Sequence, residues 1–186
     1  MGLIQRDTFT ISSNVASVMI GGGSNGSSSY DFAINTDNSY MLVYHSLYMS
    51  NDGNATRIRI TKSGSADTTG NYDNARMNMY SNQAYSDVAN VNSDYMPNLA
   101  NGTTLPESQM GIMYLHNFNS GSLYSQINFY IACTTETPEY VNSVGFFTHT
   151  VASASDGIQF YTPSNSIASG TFTLYEITTW VIDTDI

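Results

Sequence analysis

A chain of 186 residues with 15 acidic and 5 basic side chains, for a formal net charge of −10, repels polyphosphates, and this argues against a nucleic-acid partner. Only 11% of its residues are charged, with one lysine, Lys62, and four arginines, Arg6, Arg57, Arg59 and Arg76. That is too few to fill the surfaces of a helix bundle. The length fits one domain, taken as residues 1–186 with a folded core of about residues 8–180 and a tail over 181–186.

Period-two alternation and enrichment in Tyr, Phe, Ile, Val and Thr mark the strands. Phe9 to Ile20 reads as a first extended segment, closed by the Gly- and Ser-rich run Gly21 to Ser29. Tyr40 to Met49 follows. Strict alternation puts Met41, Val43, His45, Leu47 and Met49 on one face and Leu42, Tyr44 and Tyr48 on the other, as in a central strand. Asn51-Asp52-Gly53-Asn54 tolerates positive φ, so Arg57 to Lys62 is expected to return as the second strand of a hairpin.

From Gly64 to Pro106 the chain is polar, with weak alternation over Ala75 to Tyr80 and a helical turn expected near Tyr85 to Val91. A stretch of that length without strong elements is where contacts between subunits are sought. Strand patterns resume over Gln109 to Leu115, Ser125 to Cys133, Val141 to Val151, Gly157 to Thr162 and Thr171 to Trp180. No amphipathic helices separate them, so the expected architecture is an all-β antiparallel sandwich, jelly-roll-like, of roughly eight or nine strands with long polar loops. The tail Val181 to Ile186, with Asp183 and Asp185, reads either as an exposed end or as an arm reaching a neighbour.

Reactive groups are sparse. Cys133 is the single cysteine and lies in the apolar alternation Ile127, Phe129, Ile131, Cys133, which predicts a buried, inert thiol. His45, His116 and His149 are scattered along the chain. Asp52, Asn54, Asp67, Asp73 and Asn74 carry oxygen ligands but lack the spacing of a calcium loop, and read as turn formers. Arg57 and Arg59 share one face and Lys62 takes the other, as ion-paired or solvated strand positions. No catalytic, cofactor or metal site is assigned, and an enzyme is not expected.

The 14 tyrosines raise the question of sugar stacking or subunit contact. Tyr114, Tyr130 and Tyr175 alternate with apolar neighbours and read as core or inter-sheet packing. Tyr72, Tyr80, Tyr85, Tyr95 and Tyr140 are the candidate contact residues, for subunits before glycans. The sequons at Asn54 and Asn101 carry no function without a secretory signal, and Met1 to Asp7 lacks one. Arg6 also spoils a myristoylation pattern. No run approaches the roughly 18 apolar residues of a membrane span.

The closing stretch Asp156-Gly157-Ile158-Gln159-Phe160-Tyr161, then Ser164-Asn165-Ser166-Ile167-Ala168-Ser169-Gly170-Thr171-Phe172-Thr173-Leu174-Tyr175, resembles the ending of tailed-phage virion structural proteins. In that set a strand and a small polar turn lead to Ala-Ser/Gly-Gly/Ser and a strand finishing in Leu-Tyr-Gly. Glu176 stands here where the set has Gly. The resemblance implies a jelly-roll-like sandwich located in a virion assembled in the host cytoplasm, most often a homotrimer. It implies a capsid decoration or cement role on the major capsid protein, with a tail-fibre or receptor-binding module for host glycans as the alternative.

Overall fold

The computed structural model describes residues 2–22, 39–82, 84–135 and 139–178. Residues 1, 23–38, 83, 136–138 and 179–186, with Trp180 and the acidic tail among them, lie outside these. Thirteen strands run as β1 (Gly2–Thr10), β2 (Ser17–Gly21), β3 (Ser39–Met49), β4 (Asn54–Lys62), β5 (Ser65–Ala66), β6 (Tyr72–Tyr80) and β7 (Tyr85–Ser93). They continue as β8 (Met96–Asn101), β9 (Gln109–His116), β10 (Ser125–Thr134), β11 (Tyr140–His149), β12 (Gly157–Tyr161) and β13 (Ile167–Thr178). A 3-10 turn, Leu105–Glu107, precedes β9.

The strands form two antiparallel sheets. The larger has the order β1-β13-β3-β9-β10-β11-β6-β7, and the smaller β2-β12-β4-β5 with β8 also paired to β4. Eight connections pass between the sheets: β1 to β2, β2 to β3, β3 to β4, β5 to β6, β7 to β8, β8 to β9, β11 to β12 and β12 to β13. Two interleaved four-strand sets, β1-β13-β3-β9 and β2-β12-β4-β8, result, and this is the jelly-roll layout. The remaining strands mostly widen the larger sheet, with β10 and β11 entering between β9 and β12, and β5 to β7 between β4 and β8.

The fold class is as expected, and five local expectations are corrected. The Tyr40–Lys62 hairpin does not form: β3 pairs β13 and β9, whereas β4 pairs β12, β5 and β8. Gly53, at φ 69°, turns a corner between sheets, a task that asks for the same residues as a hairpin turn. The first segment begins earlier, at Gly2, and is split between the sheets. Tyr85 to Ser93 is an edge strand with no helical turn. The polar stretch from Gly64 to Pro106 holds four short strands, which raises the total above eight or nine.

The fifth correction concerns β3. Tyr40, Leu42 and Tyr44 point inward as an alternating set, but Leu47 and Met49 are also buried. Ser46 has φ 54°, and the register with β9 slips between Tyr44 and Leu47. This bulge reverses the pleat phase, so His45 faces solvent while both halves of the strand feed one core.

Inside, Tyr44 and Phe172 from the larger sheet meet Phe160 from the smaller, with ring centroids 5.0 to 5.8 Å apart. Edge and offset contacts of this kind contribute beyond the area they bury. Around them lie Ile20, Leu42, Ile58, Met113, Ile127, Phe129 and Leu174, all buried. Cys133 belongs to this layer, and burial pushes its thiol up to about 11, so it stays a protonated packing group at neutral pH.

Two polar bridges cross the core. In the first, the Tyr44 hydroxyl donates to Gln109 Oε1 at 3.1 Å, and Asn98 Nδ2 donates to Gln109 Oε1 and Thr56 Oγ1, each at 2.7 Å. Gln109 Nε2 then donates to the Leu99 carbonyl and Asn98 Oδ1 accepts from the Leu99 amide. In the second, the Tyr72 hydroxyl donates to the Asp67 carbonyl at 2.7 Å and accepts from the Ile60 amide at 3.2 Å. Each joins the larger sheet to the smaller and satisfies groups that would be costly to bury unpaired.

Gly111 makes room for the first bridge, since a Cβ there would lie 2.5 Å from the Tyr44 ring and hydroxyl. Gly111→Ala is expected to push Tyr44 out of register with Gln109 and to cost about 1–3 kcal/mol, the usual range for overpacking. Urea unfolding measures this; a loss below about 0.5 kcal/mol, the range of neutral surface changes, would show that Tyr44 does not need the gap.

Candidate functional site

The titratable groups are occupied by the fold. Each of the five basic side chains has a partner within the chain. Arg6 pairs with Glu176, Arg59 with Asp94 at 2.9 Å, and Lys62 with Asp67 at 3.0 Å. Arg57 lies over the Tyr95 ring, 3.9 Å from its centroid, and Arg76 donates to the Pro97 carbonyl. At Glu176 the strand simply continues. Its buried carboxylate meets Arg6 across β1 and β13, so the glycine of the phage-type ending has no counterpart in backbone conformation here.

The oxygen-bearing loop residues serve local structure. Asn54 Nδ2 donates to the Asn51 and Asp52 carbonyls, Asp73 Oδ1 accepts from the Asn92 amide, and Asn74 Oδ1 accepts from Asn90. Among the described residues no three His, Cys, Asp or Glu side chains gather at metal-binding distance. His45 faces solvent beside Ser46, and His116 Nδ1 lies 3.2 Å from Ser39 Oγ.

His149 is different, being buried against the Tyr72 ring with Nε2 3.2 Å from Asp67 Oδ2. Burial, helped by the nearby Lys62 charge and opposed by Asp67, lowers its pKa below the ordinary 6.5. Burial also opposes ionisation of Asp67, yet hydrogen bonds from Thr69 and Lys62 outweigh it and hold that carboxyl well below the usual range. The pair is therefore a neutral imidazole beside a carboxylate in a structural bridge.

Of the five candidate tyrosines, the structure removes Tyr72, which is fully buried with its hydroxyl committed to the second bridge. Tyr80 packs partly into the core with its hydroxyl 3.3 Å from Ser86 Oγ, and Tyr95 is half-covered by Arg57. Tyr85 and Tyr140 are exposed, at 71% and 52%. They lie at one end of the larger sheet, on its outer face.

That outer face carries what sequence reading assigned elsewhere. Tyr130, expected in the core, is 58% exposed, together with Phe146, Tyr124, Met110 and Ile112. Tyr114 and Tyr175 are half-buried on the same side. The register aligns Thr173, Val43, Ile112, Tyr130, Val144 and Met77 in one row across six strands, and Tyr175, Met41, Tyr114, Asn128, Phe146 and Ala75 in the next. Shallow hollows lie on either side of the Tyr130 ring, and a third lies beyond Phe146, against β6 and β7.

The four adjacent strands β3, β9, β10 and β11 contain no Asp, Glu, Lys or Arg. A solvated sheet face normally alternates apolar inward residues with charged or polar outward ones. Here the outward positions are Met, Val, Ile, Tyr and Phe interleaved with Asn and Gln. An exposed apolar patch of this width on an otherwise acidic molecule has the make-up of a contact surface, which is depleted in charge and enriched in Tyr, Phe and Met. The signal was present in the sequence as the lack of charge at every position of these four strands.

The His149–Asp67 bridge generates a pH dependence. A histidine whose folded pKa lies below its unfolded value leaves stability intact above about pH 6.5 and withdraws it as pH falls from there toward the folded pKa. The loss is at most about 1.4 kcal/mol per pH unit for one proton. Urea midpoints are therefore expected to fall between pH 7 and mildly acid pH, and His149→Gln to flatten that slope; an equal slope in the variant would assign it to other groups. The chain matches no family model, no curated protein and no solved structure.

Proposed function

We propose that this chain is a phage virion structural protein, a capsid decoration or cement component that binds the shell as a homo-oligomer. The observation that carries the reading is the uncharged, aromatic outer face of β3, β9, β10 and β11 in the larger sheet, on a molecule of net charge −10. A chain whose five basic side chains are already engaged internally offers partners surface, shape and rings in place of a reactive centre. The closing segment that resembles virion proteins supplies β12 and β13, the last strand of each jelly-roll set, so the likeness falls on residues that build the sandwich. It supports a virion role through fold and sequence together.

A second reading draws on Asn128. Its exposed amide stands between Tyr114 and Phe146 in one row, with Tyr130 two residues along the same strand, about 6.6 Å away by strand rise. Rings for the C–H faces of a sugar and an amide for its hydroxyls favour a neutral glycan, as a fibre or receptor-binding module requires.

Electron microscopy of intact particles carrying a labelled copy of this chain separates the two. Decoration predicts many copies distributed over the shell, and particles lacking the protein that lose DNA at lower temperature. A few copies confined to the tail, with glycan-array binding abolished in Tyr130→Ala and Phe146→Ala, would replace the first reading with the second.

A further inference from the structure

The outer face of the larger sheet combines three properties that together specify what covers it. The first is electrostatic. Two copies of a −10 chain repel, and the repulsion is least where the surfaces brought together carry no formal charge. The strands β3, β9, β10 and β11 supply such a surface four strands wide. A basic partner would instead be met by outward acids, and this face has none on those strands.

The second property is shape. Tyr130 and Phe146 stand out from the sheet, 58% and 48% exposed. Beside Tyr130 lies a hollow floored by Val43, Met110 and Ile112, and between the two rings lies another formed with Tyr114, Asn128 and Val144. Projections and hollows thus alternate on one surface, and a surface of that kind is complementary to a copy of itself related by a symmetry axis.

The third is extent. Six strands at about 4.8 Å spacing and five to seven residues at about 3.3 Å cover roughly 25 by 20 Å before the relief of the rings is counted. With Tyr85 and Tyr140 at its end, this approaches the roughly 800 Å² per partner of a standard stable interface.

We infer that copies of this chain assemble with one another through the outer face of the larger sheet, centred on Ile112, Tyr130 and Phe146. The inference deepens the homo-oligomer part of the proposed function and rests on that part alone. Inter-sheet packing already uses the inner face, so assembly gives the larger sheet a second covered side. The rings become the anchors, and the amides of Asn128 and Gln126 the polar contacts between them.

Light scattering coupled to size exclusion of the purified full chain tests this without any particle present. Wild type is expected at twice 20.3 kDa, because a face that is complementary to itself pairs about a twofold axis. Ile112→Glu and Tyr130→Glu change exposed positions and are expected to keep the β circular dichroism spectrum and cooperative melting. They should weaken self-association by at least about a hundredfold, since each buries an unpaired carboxylate. Leu105→Glu, on the 3-10 turn outside the strands of the face and 62% exposed, is expected to leave the mass unchanged. A wild-type monomer at every concentration, with or without neutral glycan bound, overturns the inference, as does an oligomer that neither face variant dissociates. Neither result bears on where the chain sits on a particle, so a failure here stays separate from a failure of the virion reading.

Discussion

A phenolic hydroxyl removed from water must be given partners, and the sandwich is organised around doing so for Tyr44. Burial drives its pKa far above the ordinary value, so the group is a neutral hydroxyl that donates to Gln109 of its own sheet and accepts from Asn98 Nδ2 of the smaller one. Three features of the sequence exist around this one side chain. Gly111 leaves the gap beneath the ring, Phe160 and Phe172 enclose it, and the bulge at Ser46 returns Leu47 and Met49 to the same core. The spacing of the two sheets at this point is set by a hydrogen-bonded bridge, which an apolar core alone would leave free to slide.

Fixing the inner face determines what the outer face must present. With period-two geometry, every inward residue of β9, β10 and β11 dictates an outward neighbour, and on these strands the outward set is uncharged. Exposed Tyr, Phe, Met and Ile in one continuous block are a liability for a lone domain, because they associate without discrimination. The face makes physical sense when something covers it. The internal pairing of Arg6, Arg59 and Lys62 points the same way, since these cations are used to hold strands and loops and are withheld from partners.

The fold was legible wherever alternation was strong and the strand sat inside the sheet. Ser125 to Thr134 and Gln109 to His116 read directly, because one phase is apolar from Ile127 to Cys133 and from Gly111 to Leu115. β7 was illegible for the opposite reason: Tyr85 to Ser93 is an edge strand with solvent beside it and little to pack, so nothing forced an alternating pattern. The β3–β4 corner was misread because Asn-Asp-Gly-Asn suits any tight reversal, and the choice between hairpin and sheet crossing lies in distant pairings with β13 and β12. The phase change at Ser46 left no trace, a serine at positive φ being dictated by its neighbours. As to the site, Tyr85 and Tyr140 were found from exposure-prone context, whereas Tyr130 was lost by taking alternation with apolar residues as evidence of burial. On a sheet whose outer side is itself apolar, that rule fails.

The claim that the uncharged outer sheet face is the working surface is most directly tested by hydroxyl-radical footprinting of wild-type protein, concentrated and then diluted, with oxidation read residue by residue. The account predicts that Tyr130, Phe146 and Met110 are protected in the concentrated sample and become reactive on dilution, while Leu105 reacts equally in both. Equal reactivity of Tyr130, Phe146 and Met110 at all concentrations would contradict it.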